Sequence, residues 1–370
     1  MTAEKTKDPI PRELIPPYPN HPYFTDGDGR QLTFGGDRHA FEHNTRDFRM
    51  VNAWWLAEAA TLVYDREEFV REKFRNAGLP EVVLFDRAGT QCFVAGNERL
   101  AIVAFRGTES GARSLKEIKQ VVIDIEDDKH FLRIPFGPGG SVHRGFAGAV
   151  GAVWEDAGGV RGLKSHLAGL AGSRALWFTG HSLGAASATV AAILCEQSGM
   201  RVSGLYTYGS PRVGDAEFAA RFRRFFPGDS GPEYQRFIND RDIVTRVPPE
   251  SFGYRHVGAA HHIVADGTIR AEETQGDATP GELGRGINNL LLQLIPESIR
   301  KLIAPNAGAF GLKLPERVEK LIDKAIESLP HDLIDRALLG HAPEPLKHHV
   351  PTMYANRIWN AHVGEQGGGN

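Results

Sequence analysis

The sequence predicts an α/β fold in which helices cover both faces of a central, mostly parallel β-sheet. Three short apolar runs, 175–179, 202–208 and 234–238, have the character of strands, and helical segments connect them. This alternation with short connections is typical of right-handed crossovers between parallel strands. Three further strand-like runs lie upstream, separated by turn residues, and predict a β-meander: 82–85, 91–95 and 100–105.

Size and composition limit the number of domains and the kinds of partner that we expect for this chain. The chain has 370 residues, 41% of them hydrophobic, which fits one large domain with an insertion or two small domains. Its formal net charge of -3 gives no reason to expect a nucleic-acid partner or strong attraction to anionic membranes. Cys92 and Cys195 lack metal-binding spacing and cannot form a disulfide framework, so we expect two buried, small apolar side chains.

The chain ends differ from its middle. Residues 1–48 are rich in Pro, Gly, Asp and His without periodicity, and we expect an N-terminal arm, with order beginning near Met50. The main domain is expected over residues 49–363, followed by a flexible tail at 364–370. We find no apolar signal-peptide core and therefore expect no Sec signal peptide. Because no run of eighteen apolar residues occurs, we also expect no transmembrane segment. The expected location is the cytoplasm, or outside it by another export route.

A nucleophile is predicted where the strand 175–179 ends. Residues 180–184 read Gly-His-Ser-Leu-Gly, and a helix of small residues follows. A strand, a sharp turn and a helix in this order are the context of a nucleophile elbow, in which glycines two before and two after the serine leave room for the turn. The helix N-terminus also favours negative charge that develops beside the serine. We therefore expect Ser182 to be a nucleophile.

Several motifs together resemble a known family. They are Phe105-Arg106-Gly107-Thr108, Val142-His143-Arg144-Gly145-Phe146, the elbow pentapeptide, Tyr206-Thr207-Tyr208-Gly209-Ser210-Pro211-Arg212-Val213-Gly214-Asp215, and Asn239-Asp240-Arg241-Asp242-Ile243-Val244. In this order they resemble the class 3 lipases, the fungal-type triacylglycerol lipases and their relatives. The resemblance covers about residues 51–258 and a short piece near Tyr354. It implies an α/β-hydrolase fold and ester hydrolysis without a metal or an organic cofactor.

The resemblance also implies an acid that orients the catalytic histidine. The family places it in a motif of the form Asn-Asp-Ile-Val-Pro, at the Asp before Ile-Val, and Asp242 occupies that position. Thr245 replaces the usual proline, which affects the stiffness of the loop more than its chemistry. Asp240 is the alternative acid, although it could equally hydrogen-bond the backbone of a turn.

The general base is implied by a spacing near the C-terminus. The family's histidine stands five residues before a tyrosine, and His349 has this relation to Tyr354, while His348 is the nearest alternative. Among the other histidines, we expect His256 to be structural and His362 to be a solvated surface residue, and His261 and His262 are outside candidates for the base. Ser182, Asp242 and His349 follow the chain order of α/β-hydrolase triads.

Two backbone donors are expected to bind the oxyanion formed during acyl transfer. The N–H of Leu183 follows from its place directly after the nucleophile. The resemblance implies Thr108 as the second donor, through its N–H and its hydroxyl. We expect Arg106 to be structural.

Two segments are expected to control access to the serine. The family carries a mobile lid at the position of residues 109–123, where Leu115, Ile118 and Val122 would share one helical face. That face could cover the serine and turn toward lipid on opening, or it could belong to a solvated helix that packs on the core. Residues 267–347 form a helical insertion before the histidine, which could be a cap over the acyl pocket or a stabilising layer.

The leading function is therefore that of a triacylglycerol lipase or carboxylesterase. The expected partners are a lipid or small ester substrate, with transient contact to a lipid interface through the lid. A phospholipase A1-type activity would use the same site, and a binding relative without activity is the alternative from another class.

Overall fold

In a computed structural model, residues 21–36, 38–107, 132–227, 233–258, 260–272 and 348–367 are described. Helices and strands alternate along these residues as the sequence predicts. In chain order the elements are α1 (Met50–Leu62), α2 (Glu67–Asn76), β1 (Glu81–Arg87), β2 (Thr90–Gly96), β3 (Leu100–Phe105), β4 (Arg133–Pro135), β5 (Ser141–His143), α3 (Arg144–Trp154), α4 (Leu163–Ala168), β6 (Ala175–His181), α5 (Leu183–Gln197), β7 (Gly204–Tyr208), β8 (Gly214–Asp215), α6 (Ala216–Phe225), β9 (Glu233–Asn239), β10 (Tyr254–Arg255), β11 (Ala260–Ile263), β12 (Ile269–Glu272) and α7 (Pro351–Gly367).

The main sheet of the described residues has eight strands in the order β1-β2-β3-β6-β7-β9-β11-β12. The inner strands from β3 to β11 are parallel, while β1, β2 and β12 pair antiparallel at the two edges. The predicted parallel core and meander are confirmed. Because the inner strands run in one direction, the chain leaves β3, β6, β7 and β9 at the same edge of the sheet, where α/β proteins place their ligands.

Two apolar clusters lie on opposite faces of the sheet. One contains α1, α2 and α7, with Trp54, Trp55 and Trp359 among its largest side chains. The other contains α3, α4, α5 and α6, and in α5 it is built from alanines such as Ala186, Ala188 and Ala192. These small side chains let α5 pack closely on the sheet directly behind the elbow. Cys92 and Cys195 are free and buried, as expected.

Residues 21–48 pack on the domain, which corrects the expectation that order begins near Met50. We call residues 21–36 and 38–48 the N-terminal strap. Its buried side chains are Tyr23, Phe24, Leu32, Phe34 and Phe41. The Phe24 ring stacks on Trp55 at 5.2 Å between centroids, and His21 pairs with the buried carboxylate of Glu58 at 2.9 Å. Local periodicity could not show this, because the strap is buried by contacts with α1 and α2 and forms no helix of its own.

The C-terminal helix also extends further than expected. Residues 364–367, assigned to a flexible tail, continue α7 to Gly367. In the part of the chain that the structure describes, we find no helix that combines the length and apolar character needed to cross a membrane. Of the predicted insertion 267–347, only the first residues are described, and they contribute β12. The rest of the insertion, the lid segment 109–123 and residues 1–20 lie outside the described residues.

Candidate active site

The turn at Ser182 has the geometry of a nucleophile elbow. Strand β6 ends at His181, α5 begins at Leu183, and Ser182 between them has a φ of +59° and a ψ of -130°. A backbone in this region is strained for a residue with a side chain and is characteristic of functional turns. The turn places Ser182 at the carboxyl edge of the sheet, between the end of β6 and the start of α5.

Both glycines of the pentapeptide are required by close backbone contacts. A Cβ on Gly180 would lie 2.4 Å from the carbonyl group of Gly184, and a Cβ on Gly184 would lie 2.3 Å from the carbonyl oxygen of Phe105. Backbone atoms cannot move aside as a flexible side chain can. The two glycines thus allow α5 to begin directly against β3.

A histidine from the other end of the chain reaches the serine. His349 lies just before α7, its Nε2 is 2.8 Å from Ser182 Oγ, and its side chain is almost fully buried. Its Nδ1 is 2.8 Å from Oδ2 and 3.0 Å from Oδ1 of Asp242, which is completely buried. The structure therefore brings together Ser182, His349 and Asp242 in one continuous hydrogen-bonded chain.

The carboxylate of Asp242 has donors on both oxygens. The Val244 N–H donates to Oδ1 at 2.9 Å, and the Tyr354 hydroxyl donates to Oδ2. Burial, together with the nearby Asp242 charge, raises the pKa of Tyr354 well above its ordinary value, so this hydroxyl stays protonated and remains a donor. The Asn239 N–H in turn donates to the tyrosine oxygen at 3.0 Å. A buried carboxylate needs such partners, because burying a charge without hydrogen bonds is costly.

The alternative acid and base form a separate pair. Oδ2 of Asp240 is 3.5 Å from His348 Nε2, and both side chains are partly exposed. The imidazole that bonds Ser182 Oγ is that of His349. Asp240 has a φ of +44°, and its carbonyl accepts from His262. Asp240 thus lies in a turn, and its carboxylate faces His348.

The other C-terminal histidines contact partners outside this chain of bonds. His256 Nε2 donates to the Thr245 carbonyl at 2.6 Å, and the His261 ring hydrogen-bonds the side chain of Gln235. The expectation that His362 is a solvated surface residue is wrong. It is 6% exposed and hydrogen-bonds His39 of the strap at 2.9 Å, which brings it into the core.

Two residues at the site were not singled out by sequence reasoning. Gly209 follows β7 with a φ of +59°, and a Cβ there would lie 2.8 Å from Asp242 Oδ2 and 3.0 Å from the His349 ring. Tyr354 entered only through its spacing to His349, whereas the structure shows its hydroxyl on Asp242. The signal for Gly209 was available in the sequence, since it directly follows an apolar strand, but a glycine there does not reveal what it must leave room for.

The predicted oxyanion donors are only partly described. Leu183 is the first residue of α5, where backbone N–H groups have no partner within the helix. Thr108 lies outside the described residues. Gly107, just before it, lies against the elbow, since a Cβ on Gly107 would be 2.8 Å from the His181 carbonyl oxygen. Arg106 hydrogen-bonds Gln91 at 2.6 Å and stacks over Tyr64, which agrees with a structural role.

The fold and this arrangement of Ser, His and Asp define the class of the protein as an α/β hydrolase. The family described as Lipase (class 3) matches residues 102–252, which include the elbow and Asp242. Over these residues the chain is similar to the class 3 lipases.

Several relatives and solved structures with similar sequences are fungal lipases. A lipase of Rhizomucor miehei is 29% identical over 227 residues, which are 59% of this chain and 49% of the relative. A secreted mono- and diacylglycerol lipase of Fusarium solani is 51% identical over 78 residues, 21% of this chain and 22% of the relative. The structure of lipase II from Rhizopus niveus has a TM-score of 0.47 at 24% identity, covering 62% of this chain and 86% of that one. The chain spans about half, or less, of the length of these two curated relatives.

Proposed function

We propose that this protein hydrolyses carboxylic esters of lipids, as a triacylglycerol lipase or carboxylesterase, with Ser182 as the nucleophile. The observation that carries the proposal is the unbroken contact from Ser182 Oγ through the His349 ring to the buried Asp242 carboxylate. The names of the fungal relatives, lipase and mono- and diacylglycerol lipase, support an ester of a glycerolipid as the substrate.

In the first half of the reaction, His349 Nε2 removes the proton from Ser182 Oγ as that oxygen attacks the ester carbonyl carbon. The carbonyl oxygen becomes negative, and the N–H of Leu183 and Thr108 are the two donors proposed to stabilise it. When the tetrahedral intermediate collapses, the C–O bond to the alcohol breaks and His349 gives its proton to the leaving oxygen. The products are the free alcohol and an acyl group on Ser182.

In the second half, water replaces the alcohol. His349 removes a proton from water, the hydroxide attacks the acyl carbon, and the proton returns to Ser182 as the fatty acid leaves. Asp242 holds the histidine in the tautomer that carries hydrogen on Nδ1 and stabilises the imidazolium in both halves. Its buried, fully bonded carboxylate is suited to that task, because it cannot rotate away from the ring.

Access to the serine is proposed to depend on residues 109–123 acting as a lid that contacts lipid. This proposal is supported by the family and predicts that activity toward a sparingly soluble short-chain ester rises sharply when its solubility limit is passed. A linear dependence through that limit would contradict the lid.

The activity is tested by hydrolysis of 4-nitrophenyl esters from two to sixteen carbons, with wild type and the Ser182→Ala variant. We expect hydrolysis by wild type and a loss of about 10⁴-fold or more in the variant. Triolein and a phosphatidylcholine, assayed in parallel, separate a triacylglycerol lipase from a phospholipase A1. A folded wild type that hydrolyses none of these esters would contradict the proposal and favour a binding relative without activity.

A further inference from the structure

We propose that His181 and Tyr64 form a positioning pair that holds the backbone of His349 so that its ring meets Ser182. The inference rests on the proposed function and adds two residues to the machinery of the same site. His181 is the neighbour of the nucleophile within the elbow, and Tyr64 follows α1 on another side of the site. Neither contacts Ser182 Oγ, so both would act through His349.

The pair is a short buried chain of hydrogen bonds. The Nε2 of His181 is 2.7 Å from the backbone carbonyl oxygen of His349, and its Nδ1 is 3.0 Å from the hydroxyl oxygen of Tyr64. His181 is 3% exposed and Tyr64 is 7% exposed. The two imidazole rings lie 4.5 Å apart between centroids, so His181 packs directly beneath the proposed base.

The partners fix the tautomer of His181. A carbonyl oxygen can only accept, so the Nε2 must carry the hydrogen and donate it to His349. The Nδ1 of a neutral ring is then an acceptor, and it receives the hydroxyl hydrogen of Tyr64. The bonds therefore run in one direction, from Tyr64 through His181 to the backbone of His349, and no proton needs to leave the pair during the reaction.

The buried surroundings keep His181 neutral and the Tyr64 hydroxyl protonated, as the direction of these hydrogen bonds requires. Burial, with the neighbouring His349 as a further cause, holds the pKa of His181 well below its ordinary value, so the ring stays neutral. Burial also raises the pKa of Tyr64, so its hydroxyl stays protonated. A second protonated imidazole beside the base would repel the imidazolium formed during catalysis, and a neutral His181 avoids this repulsion.

The Tyr64 hydroxyl also lies against the strand that leads to the predicted oxyanion residue Thr108. A Cβ on Gly107 would lie 2.1 Å from that hydroxyl, so only glycine leaves it room. The same oxygen therefore contacts Gly107 on one side and bonds His181 on the other. Tyr64 thus ties the base to the end of β3.

Holding the backbone matters because His349 lies in the turn before α7 and not inside a helix. Two consecutive carbonyls of this turn are bonded by side chains, His349 by His181 at 2.7 Å and His348 by Asn239 Nδ2 at 2.8 Å. One anchor comes from the end of β6 and the other from the end of β9. Without the first anchor the imidazole can shift, and a misplacement of about 1 Å can cost about 10²-fold in rate.

The test compares kcat and KM for 4-nitrophenyl butyrate, with kcat expressed per active site after complete titration with a fluorophosphonate. For Tyr64→Phe, which keeps the ring, we expect kcat to fall about threefold to tenfold with KM unchanged. The matched control is Tyr208→Phe, which removes a buried hydroxyl bonded to the Ala53 carbonyl of α1. We expect the control to keep the wild-type kcat per site.

Two substitutions of His181 separate positioning from packing. The amide nitrogen of His181→Gln can replace Nε2 and still donate to the His349 carbonyl, whereas the shorter side chain of His181→Asn can replace only Nδ1. We expect kcat per site to fall about 10²-fold in His181→Asn and to be largely restored in His181→Gln.

The outcomes are distinguishable from a failure of the proposed function. If wild type hydrolyses no ester and takes up no fluorophosphonate, the proposed function fails and the pair with it. If wild type is active but Tyr64→Phe matches wild type in kcat per site, or if His181→Gln and His181→Asn lose the same factor, the positioning role is overturned. A His181 variant that does not fold leaves the decision to Tyr64→Phe.

Discussion

Asp240 and Asp242 stand two positions apart, yet their surroundings differ in every respect that matters to a catalytic acid. Asp242 is fully buried, with His349, Val244 and Tyr354 as donors, whereas Asp240 is partly exposed and faces His348 at 3.5 Å. Charge-assisted bonds in a buried site are stronger than those at the surface. The environment, more than the residue type, therefore selects Asp242 as the proposed acid.

Replacing each aspartate by asparagine tests this selection. Asp242→Asn keeps the shape but loses the charge that stabilises the imidazolium, and we expect kcat to fall by about 10³- to 10⁴-fold. Asp240→Asn is the matched control, and we expect its kcat to stay within about threefold of wild type. Steady-state hydrolysis of 4-nitrophenyl butyrate measures both, and a larger loss in Asp240→Asn would reverse the assignment.

The spacing between His349 and Tyr354 shows what a single sequence can predict about a site. His349 was selected because it stands five residues before a tyrosine, and the structure gives that spacing a physical reason. Both side chains contact the same carboxylate, the histidine from the loop before α7 and the tyrosine from the first turns of the helix. Gly209 could not be assigned in this way, because its role depends on how closely Asp242 approaches it from another strand.

At the scale of elements, the N-terminal strap shows what sequence periodicity cannot predict. Its aromatic residues stand among turn residues without a repeating pattern, and they are buried because α1, α2 and side chains of the sheet such as Trp177 provide partners. α1 is itself buried over its whole length, from Met50 to Leu62. A helix that is buried on every side requires cover on every side, and the sheet, the strap and α7 provide it.

Glu58 is the polar link between the strap and α1. Its buried carboxylate pairs with His21 at 2.9 Å and accepts from the Phe24 N–H at 3.0 Å. We expect Glu58→Ala to lower the free energy of unfolding by about 3 kcal/mol, because the variant leaves two buried groups without this partner. Glu58→Gln retains an acceptor and should lose less. Urea unfolding measures both, and a change below about 0.5 kcal/mol in Glu58→Ala would contradict the link.

For the molecule as a whole, the order of the inner strands follows from the alternation seen in the sequence. A helix precedes each of β6, β7 and β9 and carries the chain back to the start of the next strand. Neighbouring strands joined in this way are parallel. The small sheet β10-β8-β5-β4 was not predicted, since its strands have two or three residues and leave no periodic signal. The parallel strands decide the location of the site, because they bring Ser182, Gly209 and Asp242 to one edge.

The pair of half-buried His39 and buried His362 couples the strap to α7 and makes this coupling depend on pH. Burial, and then the neighbouring His39, lowers the pKa of His362 from 6.5 to about 4, and burial, with Arg38 as a further cause, lowers that of His39 against a smaller raising effect of Asp26. Between pH 4 and pH 6.5 these histidines bind more protons in the unfolded chain than in the folded one. The contribution of the pair to the stability of the fold therefore falls as the pH decreases from 6.5 toward 4.

The variant His362→Asn isolates this effect from other titrating groups. The difference in unfolding free energy between wild type and the variant should be largest at pH 7 and should shrink steadily toward pH 4.5. Urea unfolding at a series of pH values gives this difference. A difference that does not change with pH would show that the histidine pair does not titrate in this way.

The central claim is that Ser182 is a nucleophile activated by His349. It is tested most directly by treating folded protein with a fluorophosphonate and locating the adduct by peptide mass spectrometry, with rates measured for wild type, His349→Ala and His348→Ala. We predict an adduct on Ser182, a rate about 10³-fold lower in His349→Ala, and a rate close to wild type in His348→Ala. No adduct on the folded wild type, an adduct on another residue, or an unchanged rate in His349→Ala would contradict the claim.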